Sequence, residues 1–222
     1  MPRRIEHFRG LTQASRVKLL HAVQRAPGRR LQELADEAGI HLNTAREHLH
    51  VLETEGLIAC RRLSTGTRGR PPVAYYPVQQ PEVNEHADRR AARAQSTGDL
   101  LRRLDPSLDQ SERFGVEGQH QIDALYSHLD DVGFEPEFDE EDLGFDLQPC
   151  PYHDLIEKHG SLVCSVHARL LQDQLEQVKG PLSVERLQPF VTPHQCRVTL
   201  SHAEEERMSP EAPDAPDDPD GW

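Results

Sequence analysis

The sequence predicts an α+β protein: an N-terminal helical unit closed by a β-hairpin, connecting helices, and a small α+β C-terminal unit that carries the cysteines. Three observations lead there. Charge divides the 222-residue chain. Residues 1–80 hold 13 Lys and Arg against 7 Asp and Glu, a net of +6, and residues 81–222 hold 12 against 31, a net of −19. Only the first part therefore suits an anionic partner. Apolar positions recur at helical spacing through the first 55 residues and alternate as in strands past Gly133. Finally, Cys150, Cys164 and Cys196 fall in the last third, two of them within Cys-x-x-His pairs.

Residues 1–10 read as a loose basic arm. From Ser15, the residues Val17, Leu19, Leu20 and Val23 follow helical spacing until Pro27-Gly28 stops them. Leu31 to Ala38 makes a second helix with Leu31, Leu34, Ala35 and Ala38 inward, and Gly39-Ile40-His41 makes a tight turn. Leu42 to Glu55 is a third helix with Ala45, Leu49 and Leu52 on one stripe, ended by Gly56. Leu57-Ile58 opens a strand, and ACRRLSTGTRGRPPVAYYPV reads as two short strands around a Gly- and Arg-rich hairpin, the second from Val73 to Val78. Helix, helix, turn, helix, hairpin is the order of a winged helix-turn-helix, assigned to residues 1–80.

Residues 81–131 are assigned to connecting and dimerisation helices. The Ala- and Arg-rich stretch 82–104 predicts one helix, with Leu100, Leu101 and Leu104 as a face for intramolecular packing or dimer contact. Residues 105–118 read as linker, and Gln119 to Leu129 as a helix with Ile122, Leu125 and Leu129 in register. In the C-terminal unit, residues 132–202, Leu143, Phe145 and Leu147 alternate as a half-buried strand. A short helix opened by Pro151 is separated by Gly160-Ser161 from a longer one reaching Val178, with Ser161 as its N-cap. Leu182–Val191 and Cys196–Leu200 are further strands. The run EPEFDEEDLGFD lacks EF-hand spacing and reads as a solvated strand-loop. The Pro- and Asp-rich tail, residues 203–222, is expected to be disordered.

The stretch LQELADEAGIHLNTAREHLHVLETEGLI resembles the helix-turn-helix of bacterial ArsR- and DeoR-type repressors, a likeness covering about residues 12–78. It implies a third helix lying in the major groove and a wing tracking the backbone or minor groove. With Ala45, Leu49 and Leu52 inward, the open face carries Asn43, Thr44, Arg46, Glu47 and His50. Arg46 has the fork to grip a guanine and Asn43 the amide to pair with an adenine. Wing residues Arg61, Arg62, Arg68 and Arg70 suit phosphates, with Thr65 and Thr67 as hydroxyl donors. One such unit reads only a few base pairs, so a homodimer on a palindromic double-stranded DNA operator is expected.

The cysteine segment is CPYHDLIEKHGSLVCSVHARLLQ, followed by VTPHQCRVTLSH. Cys150 pairs with His153 and Cys164 with His167, and on a helix positions i and i+3 face the same way. Both cysteines are placed near predicted helix N-termini, which lower thiol pKa values. Cys196 begins the last strand, and three thiolates plus one histidine complete a four-ligand shell. Softness leaves zinc, iron–sulfur or copper(I). The order Cys-Pro-Tyr-His, Cys-x-x-His, then a lone Cys before an amphipathic strand is similar to the sensor domain of the Suf-operon repressors and their actinobacterial relatives. That resemblance, over roughly residues 132–202, implies that Cys150, Cys164 and Cys196 hold an iron–sulfur cluster whose status sets operator affinity. The fourth ligand is open, with His153 and His167 ahead of His194, and a Cys₃His zinc site is the alternative. Cys60 reads as a small buried hydrophobe, and His120, His128, His159 and His202 as surface residues.

No 18-residue apolar run exists, and MPRRIEHFRG lacks the apolar core of a secretory signal, so a cytoplasmic protein without membrane contact is expected. In that reducing compartment, clustered cysteines bind metal or sense redox state. No Gly-rich phosphate loop, GxSxG elbow or HExxH helix is present, so no enzyme is expected. The expected function is a DNA-binding transcriptional regulator, most simply with a cluster-bound C-terminal unit. Its alternatives are a winged-helix repressor with a structural or regulatory zinc, and a winged-helix protein-interaction module without an operator.

Overall fold

A computed structural model describes residues 11–64, 71–192 and 195–202. The expected basic arm, the acidic tail, His194 and the wing residues Thr65, Thr67, Arg68 and Arg70 lie outside the described residues. Helices and antiparallel sheets make the α+β class expected from the sequence.

Helix α1 (Ala14–Arg25) buries Val17, Leu19, Leu20 and Val23, the four residues its spacing singles out. A two-residue strand β1 (Arg29–Arg30), too short to show alternation in sequence, precedes α2 (Leu31–Ala38). The Arg30 N–H donates to the Glu33 carboxylate at 2.8 Å, closing the first turn of α2. Helix α3 (Leu42–Thr54) buries Ala45, Leu49 and Leu52 against α1 and α2. Gly56 then reverses the chain at φ +67°, where a Cβ would lie 2.8 Å from the Ala87 backbone nitrogen. Strands β2 (Ile58–Arg62) and β3 (Val73–Pro77) pair with Cys60 opposite Tyr75, and β1 joins the far side of β3.

Helix α4 (Glu85–Leu104) grows directly from this unit. The Asn84 side-chain oxygen caps it by accepting from the N–H groups of His86 and Ala87. The same amide donates to the carbonyls of Glu53 and Ile58, each at 2.8 Å, and the Arg90 guanidinium donates to the Glu55 carbonyl. The start of α4 is thereby tied to the C-terminal end of α3. A 3₁₀ turn (Pro106–Leu108) leads into α5 (Ser111–Val132), two helical segments joined at Gly115, whose φ 70° and ψ 165° are non-helical; the longer segment contains the helix predicted from Gln119 to Leu129. Gly98 lets α4 approach α5, where Arg102 donates to both oxygens of Asp123 at 2.8 and 3.1 Å.

The C-terminal strands β4 (Glu137–Asp139), β5 (Gly144–Leu147), β6 (Leu182–Thr192) and β7 (Gln195–His202) form an antiparallel sheet in the order β4-β5-β7-β6. The acidic run is drawn onto Arg197, whose guanidinium reaches Asp139 at 2.6 Å, Asp142 at 2.9 Å and Asp146 at 3.2 Å.

Between β5 and β6 lies α6 (His153–Gln177), two helical segments joined at His159, whose φ −138° and ψ 25° are non-helical. The division expected at Gly160-Ser161 is found beside that pair, with the non-helical residue at His159 rather than at the expected cap Ser161. The longer segment buries Val163, Val166, Leu170 and Leu171. Buried apolar residues run without a break from α1 through α5 and α6 to β7, so both halves share one core.

Candidate nucleic-acid interface and cysteine cluster

The open face of α3 is organised from its first turn. His41 caps the helix, its Nδ1 accepting from the Asn43 N–H at 3.2 Å. The Asn43 side-chain oxygen accepts from the Arg46 guanidinium at 2.9 Å, so the two side chains assigned to base edges are held together. Asn43, Arg46, Glu47 and His50 are exposed and Thr44 is half-buried. On the inner side His48 meets the Ser15 hydroxyl at 3.0 Å and fixes α3 to α1. In the wing Arg61 and Arg62 are exposed, and Arg61 lies over the Tyr76 ring, 5.0 Å from its centroid. That contact orients its cation along the strand.

Cys60 is exposed rather than buried, because its strand turns it outward toward α3. Its thiol donates to Glu53, and partial burial together with that carboxylate pushes its pKa up to about 11. That shift keeps the thiol protonated at neutral pH.

Those three come from separate segments. Cys196 sits on β7 opposite Leu147 of β5, Cys150 follows three residues beyond Leu147, and Cys164 lies on α6. Cys196 is buried and the other two are half-buried. The thiols are near enough that Cys150 feels the charge of both Cys196 and Cys164, and Cys164 that of Cys196. The expectation of lowered thiol pKa values is corrected. Burial pushes Cys150 and Cys164 up: desolvation is the largest cause at both, and at Cys150 the Tyr152 N–H does not outweigh it. Among the described residues, no three His, Cys, Asp or Glu side chains converge as the ligands of a single metal ion.

The two paired histidines part ways. His153 opens α6 and is exposed. His167 is buried, stacked on Phe134 with centroids 5.1 Å apart and edge-on to Tyr152 at 5.6 Å. Burial pushes its pKa down to about 4, which keeps the ring neutral at physiological pH, and its Nε2 has no partner among the described residues. The Tyr152 hydroxyl is likewise buried without a partner among them, within the fields of Cys150 and Glu55. His128 is buried rather than on the surface, and desolvation, Arg90 and His167 hold its pKa well below the ordinary value. His120, His159 and His202 are half-buried, with His120 Nε2 3.2 Å from Asp99 and His202 stacked on Phe114.

Sequence reasoning missed Asp173. Its fully buried carboxylate accepts from Gln79 at 2.8 Å and from Gln24 at 3.3 Å, and Arg169 Nε lies 3.8 Å away. It ties α6 to α1 and to the segment after β3. The available signal was its spacing, since Val163, Val166, Leu170, Asp173 and Gln177 share one helical stripe and a carboxylate has no place there unpaired.

Residues 17–60, from α1 into β2, match the IclR helix-turn-helix domain. No curated protein matches the chain, and no solved structure matches it. The match joins the geometry of α3: the chain carries a DNA-binding helix-turn-helix of the kind found in bacterial transcriptional regulators. Among the described residues no helix is long and apolar enough to cross a membrane.

Proposed function

We propose that this DNA-binding transcriptional regulator acts as a homodimer on a palindromic operator, and that Cys150, Cys164 and Cys196 hold an iron–sulfur cluster that modulates operator binding. The sequence likeness to ArsR- and DeoR-type repressors and to the Suf-operon repressors points the same way. The observation that carries the cluster reading is the approach of three thiols from β5–α6, α6 and β7 into mutual electrostatic reach.

Three cysteines suit an iron–sulfur cluster and a Cys₃His zinc alike. The two differ in sulfur spacing: Zn–S bonds of about 2.3 Å require sulfurs roughly 4 Å apart around a single tetrahedral centre, and thiolates bound to different irons of a cluster stand farther apart. When bound, the cluster supplies a redox-sensitive charge at this corner. Of the two candidate fourth ligands, His153 is exposed three residues after Cys150, whereas His167 would have to leave its stack on Phe134.

The chain's own residues provide a route from the thiols to the reading head. Tyr152 follows Cys150 by two positions, packs against Phe134 and His167, and lies in the field of Glu55 at the end of α3. Displacing the Cys150 segment moves a ring that lies within the electrostatic reach of Glu55 at the end of the recognition helix. Any switch of this kind requires different cluster affinity in the two arrangements.

Anaerobic purification with iron and sulfide tests the reading. A brown protein with broad visible absorption is expected, bleached by Cys150→Ser, Cys164→Ser or Cys196→Ser and retained in Cys60→Ser. A colourless protein with one zinc per chain refutes the cluster, and bleaching by Cys60→Ser refutes the ligand set. Duplex binding that weakens steeply with salt is the outcome expected of an operator reader and not of a protein-interaction module.

A further inference from the structure

Six of the eight exposed large apolar side chains among the described residues lie on α4, the 3₁₀ turn and α5. They are Leu100, Leu101, Leu104, Leu108, Val116 and Tyr126, with Leu104 74% exposed. Leu101, Leu108 and Tyr126 edge a groove of about 540 Å³ between α4 and α5, together with Ile122 and Phe138. Leu100 and Leu104, one turn apart on α4, form a ridge outside the groove, and Val116 is exposed on α5. A small ligand filling the groove would leave that ridge in water. A protein surface covers both.

Charge identifies the protein. The α4 side of the groove carries Arg90, Arg93 and Arg102, and the opposite side carries Asp123, Asp130, Asp131 and Glu140. Arg102 is engaged by Asp99 and Asp123 of its own chain. Arg93 and Glu140 have no ion-pair partner among the described residues. One basic and one acidic wall beside a common apolar floor form a self-complementary surface, as a two-fold interface requires.

We propose that this groove and its leucine ridge are the subunit interface of the homodimer. The proposal rests on the dimeric reading above and assigns its surface. A two-fold axis lays the α4 leucines of one copy into the α4–α5 groove of the other, with Arg93 of each copy facing Glu140 of its mate. Because Asn84 and Arg90 tie α4 to the end of α3, this interface fixes the spacing and tilt of the two recognition helices.

Sedimentation velocity of the full chain over a range of concentrations tests it, with circular dichroism as the control for folding. The wild type is expected to sediment as a dimer. Leu101→Glu with Leu104→Glu, both at exposed positions, is expected to weaken self-association by about a hundredfold or more while helicity is unchanged. Arg93→Glu and Glu140→Arg are each expected to weaken it, and the chain carrying both to regain it. A wild-type dimer indifferent to the leucine changes overturns the surface and leaves the dimeric reading standing. Failure of the charge-swapped chain to regain association overturns the two-fold pairing. A monomeric wild type leaves the groove to a different occupant and overturns both.

Discussion

Replacing Asp173 by Asn removes a charge buried completely between α6, α1 and the segment after β3. Burial pushes this carboxyl from 3.8 up to about 6, against the opposing pull of Gln79, Gln24 and Arg169. In the unfolded chain it ionises near 3.8. Between those values the folded state keeps a proton that the unfolded state has released, so stability falls as pH rises through the window and stays low above it. Roughly two units correspond to about 3 kcal/mol at neutral pH. Asparagine keeps the shape and one acceptor, and either glutamine can turn its oxygen to meet the new amide. Loss of one charge-assisted hydrogen bond costs about 1 kcal/mol, leaving a net gain of about 2 kcal/mol above pH 7. Urea unfolding followed by circular dichroism is the assay, run on both proteins from about pH 4 to pH 7.5. Other groups titrate in this range, His167 among them, but they cancel in the difference between the two proteins. The advantage of the variant is expected to appear between pH 4 and 6 and then level off. Parallel profiles, or a variant destabilised at neutral pH, would refute the account of Asp173 as an uncomfortable buried charge.

Four further outcomes follow from the geometry. Arg46→Ala is expected to lose about 1–3 kcal/mol of discrimination at one base pair, measured by fluorescence anisotropy on base-substituted duplexes. Arg61→Ala is expected to weaken all duplexes alike and reduce the salt slope by about one unit; equal patterns at both positions would undo the groove assignment. Gly56→Ala meets a positive φ and the Ala87 backbone together, so thermal melting is expected to show a loss of about 2 kcal/mol or more. Tyr152→Phe deletes a buried hydroxyl without a partner among the described residues, so stability is expected to hold or rise by about 1 kcal/mol; a comparable loss would reveal a hydrogen bond in solution.

The parts legible in sequence were those with a one-sided physical signature. The stripes of Val17, Leu19, Leu20 and Val23 and of Ala45, Leu49 and Leu52 are apolar on one face and polar on the other, and each buries as expected. The exposed Asn43, Arg46, Glu47 and His50 follow by subtraction. Strand β1 left no trace, since two residues show no period. The break in α6 was legible because a Gly-Ser pair reads as a boundary, and the non-helical residue His159 stands directly before it. His128 reads as a surface side chain in sequence and His167 as a metal ligand, yet both are buried, His167 in a stack on Phe134. The raised thiol pKa values of Cys150 and Cys164 depend on burial that the spacing of the cysteines does not reveal.

Helix α1 is covered on two flanks, by α2 and α3 on one side and by α6 on the other. A fragment ending behind the wing would expose that second flank as an oily stripe. Such a fragment is expected to be sticky in solution, and transplanting this head onto a foreign partner would mean rebuilding the α6 surface it rests on.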